Sequence, residues 1–232
     1  LSEGSHTFSV RARDGAGNID QSPATYTWTI DTTPPDTTIT SYPANPTSST
    51  DATFEFTCSE QGCTFECQLD SGSWSTCTSP KTYTGLSEGS HTFSVRARDG
   101  AGNVDSTPAT YNWIIDLTPP NFSGLGDILA MSDTEVTLFW NPATDDKTLQ
   151  NEIIYDICIS TISGGCVSNF TPAYSVSGNV YNYKVDWLTA GVTYYFLVRA
   201  RDKAGNRDGN NIEKKREYLS SVTQVSAGGW HT

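Results

Sequence analysis

The sequence predicts an all-β protein built of tandem antiparallel β-sandwiches. Three observations carry this: a long near-identical internal repeat, apolar residues that alternate with period two, and turn residues clustered between the alternating stretches. Residues 1–35 realign on residues 86–120 with six differences in 35 positions, so the period is 85 residues. Such a period is too long for a solenoid repeat and suits one small sandwich. A diverged third copy appears in Val198-Arg-Ala-Arg-Asp-Lys-Ala-Gly-Asn206, which repeats residues 95–103 with one change.

Taken in order, residues 1–35 match only the last two strands of the repeat and are expected to form a truncated C-terminal hairpin. Phe8, Val10, Tyr26, Trp28 and Ile30 then lack most of their core. Residues 36–118 make a complete repeat. Within it Phe54, Phe56 and Cys58 share one strand face, Phe65, Cys67 and Leu69 a second, and Phe93, Val95 and Ala97 a third. Between these strands lie clusters such as Tyr42-Pro-Ala-Asn-Pro-Thr47 and Asp99-Gly-Ala-Gly-Asn103, and no stretch has a convincing helical period. Asp31-Thr-Thr-Pro-Pro35 and Asp116-Leu-Thr-Pro-Pro120 recur where one module ends and the next begins, as stiff extended junctions. Residues 119–221 form a third module, and residues 222–232 start a further repeat or a tail.

The 232-residue chain has a formal net charge of −12, 36% hydrophobic and 11% aromatic residues. That acidity argues against nucleic acid, whose phosphates need clustered Lys and Arg. No run approaches the length that spans a bilayer, and the chain opens on Leu1 without an initiator Met, so a targeting signal is expected to have been cut away.

Residues 121–219 resemble a fibronectin type III domain. Val136, Leu138 and Trp140 alternate inward on one strand and Tyr155, Ile157 and Ile159 on the next, while Leu188, Tyr194, Phe196, Val198 and Ala200 reproduce the family's tyrosine-corner strand. The resemblance implies that the Tyr194 hydroxyl bonds back to upstream backbone. Residues 36–115 resemble the immunoglobulin-like repeats of large bacterial surface proteins, through Phe65-Glu-Cys-Gln-Leu-Asp70, Cys77-Thr-Ser-Pro80, Gly89-Ser-His-Thr-Phe93 and Ala109-Thr-Tyr-Asn-Trp113. Aligning the two Arg-Asp motifs sets His91, and likewise His6, opposite Tyr194 as an imidazole at the corner position. Residues 222–232 are similar to the opening of a propeller repeat of the regulator of chromosome condensation family, which implies a propeller downstream.

Six cysteines fall into three local pairs, Cys58 with Cys63, Cys67 with Cys77, and Cys158 with Cys166, a pattern suited to disulfides in an oxidising compartment. Cys58 with Cys67 is the rival pairing, since both face inward. The gaps do not fit zinc. No catalytic residue, metal or cofactor is assigned: two of the three histidines are repeat equivalents, and no nucleophile stands beside a base. Asp99, Asn103, Asp105 and Asp116 are the oxygen donors best suited to calcium, but their spacing matches no known loop and the same residues are ordinary turn formers. Arg96, Arg98, Arg199 and Arg201 read as solvated cross-strand charges. Asn121 and Asn169 begin glycosylation acceptor patterns that arise often by chance. Trp28, Trp113 and Trp140 read as core, leaving Trp74, Trp187 and Trp230 as surface candidates for a sugar or protein ligand.

The function expected is a non-catalytic spacer or adhesion module of a large secreted or cell-surface protein, with further domains of the parent chain on both sides. The alternative is a carbohydrate- or protein-binding module accessory to an extracellular protein or hydrolase.

Overall fold

The computed structural model describes residues 1–216. The start of a propeller repeat expected at residues 222–232 lies outside these residues. The chain forms two compact units, one of Leu1–Asn45 with Thr50–Ile114, the other of Pro46–Ser49 with the chain from Ile115 onward.

The chain begins with β1 (Gly4–Val10) and β2 (Ala24–Ile30), an antiparallel pair in continuous register from Gly4 opposite Ile30 to Val10 opposite Ala24. Among the described residues these strands pair only with each other. Seven strands follow: β3 (Thr37–Ser41), β4 (Ala52–Cys58), β5 (Thr64–Leu69), β6 (Ser75–Cys77), β7 (Lys81–Tyr83), β8 (Gly89–Arg98) and β9 (Ala109–Ile115). They form a three-stranded sheet, β3-β4-β7, and a four-stranded sheet, β6-β5-β8-β9. Period-two alternation builds the core between them. Phe54, Phe56, Phe93, Val95, Ala97 and Trp113 are all buried, and the Phe54 ring stacks on Phe93 at 4.1 Å and meets Trp113 edge-on at 5.2 Å.

The second sandwich repeats this design with β10 (Leu125–Ser132), β11 (Glu135–Trp140), β12 (Ile154–Ser160), β13 (Tyr174–Ser177), β14 (Asn182–Val185), β15 (Tyr194–Arg201) and β16 (Lys214–Arg216). Its sheets run β10-β11-β14 and β13-β12-β15-β16, the same strand order as in the first sandwich. The two modules therefore share one topology. Val136, Leu138, Trp140, Tyr155, Ile157, Phe196, Val198 and Ala200 form the core. Among the described residues a 3-10 turn at Gln150–Glu152 and one short α-helix, α1 (Gly165–Ser168), depart from the all-strand expectation; such short pieces show no periodicity for sequence reading to detect.

The repeat lets the same residues be compared in two settings. Phe93 and Val95 on β8 are fully buried, whereas their copies Phe8 and Val10 on β1 are 58% and 53% exposed. Trp113 is buried, but its copy Trp28, which the sequence places in a core, is only half-buried. Identical strands differ here because β8 has a facing sheet and β1, among the described residues, has none to bury against. Each forfeited apolar side chain is worth about 1.5–3 kcal/mol.

Candidate functional site

The sequence singled out a corner residue in each module. Tyr194 enters β15 with its ring buried, and the Thr189 backbone N–H donates to its hydroxyl oxygen at 3.2 Å. The phenol thus accepts from upstream backbone. His91 holds the matching place on β8, its Nε2 2.8 Å from the Ser87 carbonyl and its Nδ1 3.1 Å from Asp70. Burial pushes the imidazole pKa down, but those hydrogen bonds and the Asp70 charge outweigh it and leave it raised. His6 repeats the backbone contact, with Nε2 2.6 Å from the Ser2 carbonyl.

All six cysteines are paired: Cys58 with Cys63, Cys67 with Cys77, and Cys158 with Cys166. Their Cα separations of 6.7, 5.8 and 5.8 Å lie in the range a disulfide spans. Cys67 is bridged across the β5–β6 pair, which takes it from the rival partner Cys58.

The third disulfide has a consequence the sequence did not reveal. Residues 161–173 lie over the outer face of the β13-β12-β15-β16 sheet, so that Cys158, Cys166 and Leu197 form a second apolar cluster with Phe170 packed against it. Beside that cluster Asp156, on the outward side of β12, is fully buried. Its carboxylate accepts from Arg201 at 2.9 Å, from Arg207 at 2.8 Å and from the Ser175 hydroxyl at 2.6 Å. Burial raises the Asp156 pKa, but these donors outweigh it and hold the carboxyl below its usual value. The arginines read as solvated are engaged. Arg201 pairs with Asp156, and Arg199 stacks over Phe170 at 4.6 Å while its Nε donates to the Asn210 carbonyl. Arg96 pairs with Glu66 at 2.9 Å and lies over the Trp74 ring, and Arg98 donates to the Gly102 carbonyl. Alternation alone marks these positions as outward; it does not show that a loop or an aromatic covers them.

The acidic turns are built alike. In the Asp-x-Ala-Gly-Asn turn the glycine has φ of +94° at Gly17, +101° at Gly102 and +99° at Gly205, a left-handed conformation that favours glycine. This lets the leading aspartate cap its own turn. Asp99 Oδ1 accepts from the Gly102 and Asn103 N–H groups, and Asp202 Oδ1 from the Asn206 N–H. In the second and third turns the asparagine also donates from Nδ2 to a junction carbonyl, Asn103 to Asp31 and Asn206 to Asp116. Asp105 is used up locally, accepting from Thr37 and Thr107.

Asp116 is different. It is fully buried, and Oδ1 accepts from the Thr118 N–H at 3.1 Å while Oδ2 has no hydrogen-bond partner among the described residues. Carboxylate oxygens of Asp116, Asp145 and Asp202 lie within 4.8 Å of one another, and Asp145 Oδ2 is likewise buried without a partner. Burial, then the charges of Asp145, Asp202 and Asp146, push the Asp116 carboxyl up to about 6 against the Thr118 bond. The four oxygen donors suggested by sequence are thus divided differently: Asp116 groups with Asp145 and Asp202, and Asp99 with Asp31 and Glu60. Asp145 and Glu60 had no signal in the sequence, because their loops join the clusters only through the fold.

Of the surface tryptophans, Trp74 is half-buried beneath Arg96, and Trp230 lies outside the described residues. Trp187 is 48% exposed, with Tyr174 at 6.4 Å tilted by 44° and Tyr194 at 6.2 Å edge-on.

No family model matches the chain. It is 31% identical to exoglucanase B of Cellulomonas fimi over 227 residues, covering 87% of this chain and 19% of that protein. It is 32% identical to chitinase A1 of Niallia circulans over 156 residues, covering 64% of this chain and 20% of the other. The chain thus spans about a fifth of the length of these relatives. Among solved structures, the fibronectin(III)-like modules of Clostridium thermocellum CbhA superpose with a TM-score of 0.51 at 15% identity, over 85% of this chain and 99% of theirs. The FN1–FN3 domains of chicken CNTN1 give 0.51 at 13%, over 92% and 78%. These likenesses show the fold, tandem sandwiches of fibronectin type III kind.

Proposed function

We propose that this chain is a non-catalytic spacer segment of a large extracellular bacterial protein, with residues 36–118 and 119–221 as its complete modules. The observation that carries the reading is proportion: nearly the whole chain matches a glucanase, yet fills only about a fifth of it. A segment shared with both a glucanase and a chitinase is better suited to holding other domains apart than to either chemistry. The titratable groups support the same reading, since Asp99, Asp105, His91 and Asp156 are committed to backbone or to ion pairs. Three disulfides suit an oxidising, extracellular setting.

The alternative, a carbohydrate-binding module, has Trp187 in its favour. A flat sugar face stacks best on coplanar exposed rings, and the neighbours of Trp187 are tilted or edge-on, so the spacer reading is preferred. Incubating the purified chain with insoluble cellulose and chitin separates the two, with pelleting and sugar release both measured. The spacer reading expects neither. Pelleting lost in Trp187→Ala establishes the alternative, and sugar release overturns both.

A further inference from the structure

A buried carboxylate oxygen without a partner is rare in a native protein, and two in one cluster require an explanation, the usual ones being an ordered water or an ion. Asp116 Oδ2 and Asp145 Oδ2 are such a pair, and an Asp202 oxygen lies within 4.8 Å of both carboxylates. Without a counter-charge three carboxylates at this spacing repel, and Asp116 cannot reach water. We propose that Asp116, Asp145 and Asp202 bind a calcium ion at the base of the second sandwich.

The donor set decides the metal. All three ligands are hard oxygens, which suit calcium or magnesium and not zinc or copper. Oxygens 2.3–2.6 Å from one calcium ion lie up to about 5 Å apart, which accommodates the observed spacing. Magnesium demands a tighter octahedron and keeps most of its water. An open depression of about 350 Å³ lined by Thr118, Pro119, Asn121, Thr144, Asp145 and Asp146 adjoins the cluster and offers the ion and its remaining waters a way in.

Each ligand is held in place by something other than the metal. The Thr118 N–H fixes Asp116 Oδ1, the Lys147 and Thr148 N–H groups fix Asp145 Oδ1, and Asn206 fixes Asp202 through both its backbone and its side chain. The carboxylates are therefore presented by three preset loops: the junction before the module and the loop after β11 each offer an unpartnered oxygen, and the turn after β15 offers the remaining lone pairs of Asp202, both of whose oxygens accept from Asn206. The first unit carries carboxylates at the matching positions, Asp31 at the junction, Glu60 in the loop after β4 and Asp99 in the turn after β8, likewise within 4.8 Å of one another. The constellation thus recurs with the repeat, although Asp31 is exposed and that copy is expected to bind more weakly.

Nuclear magnetic resonance of the intact chain, stripped with EDTA and titrated with calcium chloride, tests this. Amide signals of Thr118, Thr148 and Asn206 should shift and saturate by about 1 mM calcium, the range of extracellular modules. Equal magnesium should leave them nearly unmoved. In Asp145→Asn, whose Oδ1 contacts an amide oxygen can keep, the spectrum should otherwise be preserved and these shifts should need about tenfold more calcium. The assignment is overturned if the three amides do not move, if magnesium moves them equally, or if Asp145→Asn responds like the wild type. Should Asp145→Asn unfold, Asp116→Asn, which relieves buried repulsion, is the second variant and must also lose the response.

Discussion

Replacing Asp156 by Asn tests whether the buried ion-pair network on the outer side of β12 holds the second sandwich together. The Asp156 carboxylate is fully buried and accepts five hydrogen bonds, two each from Arg201 and Arg207 and one from Ser175. Breaking a buried pair by removing one partner costs about 3–5 kcal/mol, mostly because the charge left behind is stranded. Here the arginine side chains are 30% and 34% exposed and regain water on losing Asp156. The loss should therefore be smaller, about 2–3 kcal/mol. For a module of this size that lowers the melting temperature by about 8–24 °C. Differential scanning calorimetry of the intact chain reads it, with the exposed Asp127→Asn as control. The pH dependence is a second check. Because the Asp156 carboxyl is held below its ordinary 3.8, its contribution is present above that value and lost as pH falls through the folded one. Wild type and variant should thus converge in acid below about pH 3.8. A loss no larger than that of Asp127→Asn, or a gap that stays constant into acid, refutes the reasoning.

Tyr194→Phe should cost about 0.5–1.5 kcal/mol by removing the acceptor of the Thr189 N–H, while Tyr195→Phe, on the opposite face of β15, should cost less in a denaturant melt; equal costs would refute the corner role. Hydrogen exchange should be faster in Gly4–Val10 than in the equivalent Gly89–Arg98, because β1 belongs to a two-stranded sheet with exposed side chains; equal protection would refute the argument from missing core.

The strand pattern was legible in the chain because alternation is a local property: Phe93, Val95 and Ala97 read as inward, and they are buried. Local chemistry also marked the Asp-x-Ala-Gly-Asn turns, since glycine must take the left-handed conformation there and aspartate must cap. The cysteine pairs were visible as neighbours in sequence, and Tyr194 by its distance from Leu188. Burial was not local. Phe8 and Phe93 occupy identical sequence and differ only in whether a second sheet faces them, which no strand encodes about itself. Asp156 alternates as an outward residue and is nonetheless fully buried, because Arg201, Arg207 and Ser175 close over its carboxylate. The grouping of Asp116 with Asp145 and Asp202 joins positions up to 86 residues apart, from a junction, a loop and a turn. Sequence determined the strands, the turns and the repeat, which depend on neighbours along the chain. Tertiary structure alone decided which charges are hidden and which meet, because that depends on neighbours in space.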